Sequence, residues 1–133
     1  MRKTIIDYYM GGHGPTVYIG VKTMAWLFYL RGIMMKLKEN TIDSVDFHLL
    51  DNIEINGINT FYLVKSSKHL SPCITINYSK KNGSSIVWSI SEEKLDYTLH
   101  ILSCLIESDS SGHQHLDEDE VLIELSYKEG IDQ

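Results

Sequence analysis

Cysteine is scarce in this chain. The two that occur, Cys73 and Cys104, cannot build a framework of several disulfides, and neither belongs to a CxxC pair. Long apolar runs are missing too: no stretch reaches the roughly 18 residues needed to span a bilayer. Near the N-terminus Asp7 cuts the apolar stretch before the core of a signal peptide could form. These absences point to a reduced, cytoplasmic compartment and no membrane partner. There is no linker and no internal repeat, so residues 1–133 are expected to form a single domain. Apolar residues at 43% and charged residues at 23% exclude disorder and collagen-like or coiled-coil composition. A folded chain of this length hides roughly two-thirds of the surface its unfolded form exposes, which is enough for a core.

Basic residues are also few, 12 against 18 acids, and the formal net charge is −6. The deficit is concentrated at one end. From Glu107 onward stand nine acids (Glu107, Asp109, Asp117, Glu118, Asp119, Glu120, Glu124, Glu129, Asp132) and one base, Lys128. That leaves −8 in this segment and +2 over residues 1–106. A nucleic-acid reader needs the opposite sign, because its affinity comes from neutralising phosphates. An acidic edge attracts cationic partners instead.

Local patterning predicts the elements. Residues 3–9 and 16–21 read as strands around the Gly11–Pro15 loop. Residues 23–39 switch to helical spacing, with Leu27, Leu30, Met34 and Leu37 on one stripe, Thr23 as N-cap and Asn40 at the stop. Gly32 inside that helix costs about 1 kcal/mol relative to alanine. Alternation through Val45, Phe47, Leu49, Ile53 and Ile55 predicts one long or broken strand. Asn56-Gly57 then signals a hairpin into a return strand over 58–64. A loop over 66–72 leads to a strand at Ile74, Ile76 and Tyr78. The turn Lys80-Lys81-Asn82-Gly83 leads to another at Ile86, Trp88 and Ile90. Ser91 caps a second helix over 91–107, residues 108–120 read as a polar turn-rich segment, and a final strand runs from Val121 to Tyr127. The resulting β-β-α-β-β-β-β-α-β order predicts an α+β fold, a mainly antiparallel sheet with two helices packed on one face.

Chemistry-bearing patterns are sparse. His113, His115 and Asp117 have ligand-like spacing, yet a structural zinc site needs four ligands and a catalytic one a supported set of three. The expectation is no metal and no cofactor. The Gly11–Gly14 glycines precede Pro15 and a strand, so they fit neither a P-loop nor a dinucleotide fingerprint. There is no GxSxG, and Cys73 and Cys104 fall where buried thiols are expected. Eight tyrosines suit an interface, because the ring is rigid and the hydroxyl polar. The acids Asp117, Glu118, Asp119, Glu120 and Glu124, with Tyr127 as an anchor, are therefore the candidate binding residues.

Two stretches carry a resemblance: Val17-Tyr18-Ile19-Gly20-Val21-Lys22 followed by Trp26-Leu27, and Gly112-His113-Gln114-His115-Leu116-Asp117 leading into Val121-Leu122-Ile123-Glu124-Leu125. With them the chain resembles the small immunity proteins of bacterial polymorphic toxin systems, in character those of contact-dependent growth inhibition. The resemblance implies a cytoplasmic, non-enzymatic inhibitor that binds the C-terminal toxin domain of a cognate effector. Such toxins are frequently basic nucleases, to which an acidic surface is suited. The competing readings are a small metal-dependent hydrolase using the His113/His115/Asp117 turn, and a binding module for another partner.

Overall fold

A computed structural model describes residues 3–81 and 83–129. Asn82 of the expected turn and Asp132 of the acidic segment lie outside the described residues. The chain runs β1 (Thr4–Gly11), β2 (Gly14–Val21), α1 (Met24–Lys38), β3 (Ser44–Asp46), a 3-10 turn at Phe47–Leu49, β4 (Ile53–Asn56), β5 (Thr60–Lys65), β6 (Cys73–Ser79), β7 (Gly83–Ile90), α2 (Glu92–Ser108), β8 (Gly112–Glu118) and β9 (Leu122–Tyr127). Both helices start where the sequence predicts. The Thr23 hydroxyl accepts from the Trp26 amide and that of Ser91 from the Lys94 amide, each satisfying a first-turn donor that has no partner within the helix. Asn40 (φ 61°) and Asp109 (φ 49°) follow the two helices in the left-handed conformation that ends them.

The strands form two sheets rather than one. The first has the order β4-β1-β2-β9-β8 and the second β3-β5-β7-β6. Both are mixed. The pairs β1–β2, β3–β5, β6–β7 and β8–β9 are antiparallel, and β1–β4, β2–β9 and β5–β7 are parallel. The fold is therefore α+β with two helices, and strand pairing is mainly antiparallel, but the expected single sheet is corrected to two sheets, each with parallel pairing. Turn-linked hairpins are written in local sequence, whereas the parallel seams join strands distant in the chain. Asn56-Gly57 illustrates the difference. Gly57 has the positive φ of a turn (86°), but the strands it joins do not pair with each other. β4 joins the edge of β1, while β5 lies between β3 and β7. A turn sets the direction of the chain, not its partner. The polar segment over 108–120 also contains an unexpected strand, β8. It lies at the edge of the sheet, where only Leu116 is buried, so no apolar alternation marks it.

An internal repeat invisible in the sequence exists in the topology. Hairpin β1–β2 followed by α1 and then β3 and β5 matches hairpin β6–β7 followed by α2 and then β8 and β9. The hairpins pair over the same span, Ile5↔Gly20 to Gly11↔Gly14 and Cys73↔Ser89 to Ser79↔Gly83. The parallel seams also match, Thr16↔Leu122 to Val21↔Tyr127 and Thr60↔Ser85 to Lys65↔Ile90. Each half thus lends its last strands to the hairpin of the other. The 3-10 turn and β4 are an insertion in the first half. Strand pairing constrains which positions face inward but not which residue fills them, so the symmetry leaves no trace in the letters.

The inner faces share one core. Ile6, Val17, Ile19, Val21, Ile123, Leu125 and Tyr127 of the first sheet join Phe61, Leu63, Ile74, Ile86, Trp88 and Ile90 of the second. α1 adds Trp26, Leu27, Leu30, Ile33, Met34 and Leu37, and α2 adds Leu95, Leu99 and Leu102. The helices pack on each other, α1 also against β3 and β5, and α2 against β8. Phe47 stacks on Phe61 at 5.0 Å and Phe61 on Trp88 at 6.4 Å. Each such side chain contributes about 1.5–3 kcal/mol by leaving water.

Candidate protein-docking face

Side chains alternate across a strand, so the register defines what the first sheet turns away from the core. Asp7 and Tyr9 come from β1, Thr16, Tyr18 and Gly20 from β2, Glu54 and Asn56 from β4, Leu122, Glu124 and Ser126 from β9, and His113 and His115 from β8. One row across the sheet reads Asn56, Asp7, Tyr18, Glu124, His115. No lysine or arginine occupies an outward strand position. The Asn56 amide donates to Asp7 at 2.8 Å and to Glu54 at 3.1 Å, linking two carboxylates across β4 and β1. Glu129 closes the opposite border, 2.7 Å from His113 Nδ1 and 3.5 Å from the Ser126 hydroxyl.

Tyr18 occupies the centre. A Cβ on residue 20 would lie 2.8 Å from its ring, so Gly20 is what lets the ring lie down along the sheet. Beside it a recess of 190 Å³ is lined by Ile5, Asp7, Tyr18, Gly20, Val21, Lys22 and Glu129. Leu122 is buried (4% exposed) yet lies outside the core cluster, hidden among these outer side chains. Burial raises the pKa of the Tyr9 phenol, and the neighbouring Glu124, Tyr18 and Asp7 raise it further, since each opposes a phenolate. The face is acidic and aromatic, a chemistry suited to docking a macromolecule. His13 from the β1–β2 turn approaches His115 edge-on at 6.5 Å.

The candidate binding residues divide among different environments. Glu124 lies in the middle of the outer face. Glu118, Asp119 and Glu120 are exposed where β8 turns into β9. Asp119 also accepts from the Ile74 amide at 2.9 Å, and Asp117 accepts from the indole N–H of the fully buried Trp88 at 2.9 Å. These two carboxylates join the edge of the first sheet to the second. Tyr127 is fully buried, its hydroxyl donating to Asp109 at 2.6 Å, so the structure does not bring it to the surface beside the acids. Asp7, Glu54, Glu129, Tyr9 and Tyr18 escape sequence reasoning, because the β1–β2 hairpin meets Glu54 only through β1–β4 pairing and Glu124 and Glu129 only through β2–β9 pairing. The signal available was parity, with Asp7 and Tyr9 on one side of β1 and Tyr18 on one side of β2.

A metal set does not assemble at His113, His115 and Asp117. The strand is irregular between His115 and Asp117, which turns the carboxylate toward Trp88 while the two imidazoles line a shallow cleft with Tyr97. Among the described residues no three His, Cys, Asp or Glu side chains group as metal ligands. Cys73 is half-buried, but Cys104 is exposed rather than in the core. It lies with His100 on the exposed side of α2, off the buried stripe, its Sγ 3.5 Å from His100 Nε2, and no third group among the described residues hydrogen-bonds that imidazole. No family model matches the chain, and no curated protein or solved structure matches it. No helix among the described residues is long and apolar enough to cross a membrane.

Proposed function

We propose that this chain is an immunity protein. It binds the C-terminal nuclease toxin domain of a cognate contact-dependent growth-inhibition effector and neutralises it by occluding the active site. The contact surface is the outer face of the first sheet, continued by Glu118, Asp119 and Glu120. The observation that carries this reading is the contrast between two topologically equivalent faces. Outward positions of the second sheet include Ser44, Thr60, Tyr62, Val64, Cys73, Thr75, Asn77, Ser79, Ser85, Val87 and Ser89, with Asp46 the one acid among them, at the β3 border. The first sheet places Asp7 and Glu124 beside Tyr18 on the same scaffold, and the inserted β4 adds Glu54 at its edge. A fold requirement would act on both faces alike, so the difference is a feature of what the first face meets.

Such a surface suits a partner that holds phosphates with lysine and arginine. Complementary charge raises the association rate and selects the partner, while the rigid tyrosines set the lifetime of the complex. The reading expects an adjacent upstream reading frame that encodes a large secreted toxin, and the test uses the C-terminal domain of that product; a locus without such a neighbour counts against the reading. Each exposed ion pair is worth only about 0–1 kcal/mol, so the informative variant reverses two charges at once, Asp7→Lys with Glu124→Lys. Association is expected to slow at least about tenfold, with a weaker dependence on salt and an unchanged circular dichroism spectrum. Wild-type association together with full protection of cells by this variant would refute the assignment of the face.

A further inference from the structure

α1 is apolar on two sides. Its inner stripe, Trp26, Leu27, Leu30, Ile33, Met34 and Leu37, is in the core. A second stripe of Ala25, Phe28, Tyr29, Gly32 and Met35 points outward, with Phe28, Tyr29 and Met35 between 40% and 49% exposed. The spacing 25, 28, 29, 32, 35 puts these residues on one face of a helix. A Cβ on Gly32 would meet nothing within 4 Å, so no contact inside the molecule requires glycine there. The helix nevertheless tolerates the loss of stability that glycine brings to its middle. At the N-terminal end of the stripe, Asp51 lines a cleft with Ala25, Trp26 and Tyr29. At the C-terminal end stands Lys36, exposed, and α1 itself contains no acid.

We infer that this face pairs with a second copy of the same chain, α1 crossing α1 antiparallel about a two-fold axis at Gly32. A two-fold contact must be complementary to itself, so whatever lies at one end of the stripe must suit what lies at the other. The α1 stripe meets that condition, with Asp51 at one end and Lys36 at the other. Antiparallel crossing sets Lys36 of each copy over Asp51 of the other, and Phe28 and Tyr29 beside Met35 and Lys36. Gly32 at the crossing point lets the backbones approach, and the two helix dipoles run opposed. The contact lies on α1, away from the outer face of the first sheet, so each copy keeps its acidic face free.

Sedimentation velocity of the full chain over rising concentration tests this. The wild type is expected to move from monomer to dimer, and Gly32→Glu to raise the dissociation constant at least about tenfold while keeping its circular dichroism spectrum. Residue 32 points into open space, so this variant folds. Lys36→Asp is expected to weaken the dimer and Lys36→Asp with Asp51→Lys to restore it, an outcome only this pairing produces. A wild type that stays monomeric overturns the inference. So does a dimer that Gly32→Glu leaves intact, or one that the charge swap does not restore.

Discussion

Replacing Asp117 by alanine separates architecture from surface within the run of acids from Asp117 to Glu120. The Asp117 carboxylate accepts the indole N–H of Trp88 at 2.9 Å, and Trp88 is fully buried. In the alanine variant that donor keeps its burial and loses its acceptor. A stranded buried donor costs about 1–3 kcal/mol, and bonds to charged groups fall in the upper part of that range. The Glu118 amide, which also bonds Asp117, is exposed and recovers a water, adding little. Asp117→Ala should therefore destabilise the fold by about 2–3 kcal/mol, or about 7–11 °C in Tm for a chain of this length. Glu118→Ala and Glu120→Ala, at exposed positions, should stay within about 0.5 kcal/mol. The assay is urea unfolding followed by far-ultraviolet circular dichroism, which does not depend on the altered surroundings of Trp88. A Trp88→Phe background tests the cause. With no donor left to strand, the same aspartate substitution should cost under about 1 kcal/mol. An Asp117→Ala variant as stable as the wild type, or an equal cost in both backgrounds, would refute the reasoning.

Two other outcomes follow from the geometry. Asp109 is held below the usual carboxylate pKa by hydrogen bonds from Lys128 and Tyr127, while Lys128 is raised by the same bond to Asp109. The Asp109 contribution is fully present above its ordinary value of 3.8 and is lost as pH falls through its lowered folded value. That of Lys128 is fully present below 10.5 and is lost as pH rises through its raised value. Asp109→Asn keeps a residue that tolerates the left-handed backbone at that position, so its Tm deficit should be level near neutrality and shrink below the ordinary carboxylate value. At Gly57 (φ 86°) an added Cβ would lie 2.3 Å from the Tyr8 carbonyl oxygen. Gly57→Ala should cost about 2–3 kcal/mol by thermal or chemical unfolding, through positive-φ strain and a clash with backbone.

What was legible in the sequence was what is decided locally. The α1 stripe from Leu27 to Leu37 and the caps Thr23 and Ser91 each depend on residues within a few positions. The β1–β2 and β6–β7 hairpins were legible for the same reason. β8 was hidden because an edge strand exposed to water needs no alternation, and the β4–β5 divergence because Gly57 looks the same in a hairpin and in a crossover. The candidate site was harder still. Glu124 was singled out for its charge, but Asp7 and Tyr18 become its neighbours only through the β2–β9 seam. Asp117, Asp119 and Tyr127 looked like surface groups because composition does not reveal a buried indole, an edge amide or the Asp109 carboxylate as their partners.

The exchange of strands between halves orders events during synthesis. Hairpin β1–β2 and α1 leave the ribosome early, but β2 stays an open edge until β9 arrives, since Thr16 pairs with Leu122 and Val21 with Tyr127. Closing so long a loop is entropically costly and slow, and an unpaired edge is a hazard in the meantime. β4, lying on the far side of β1, covers the other flank sooner and leaves one edge waiting instead of two. Because Glu124 travels on β9, the row Asp7, Tyr18, Glu124 comes into being only when the seam shuts. A nascent chain therefore displays Asp7 and Tyr18 without Glu124, and the row is complete only when the last strand has docked.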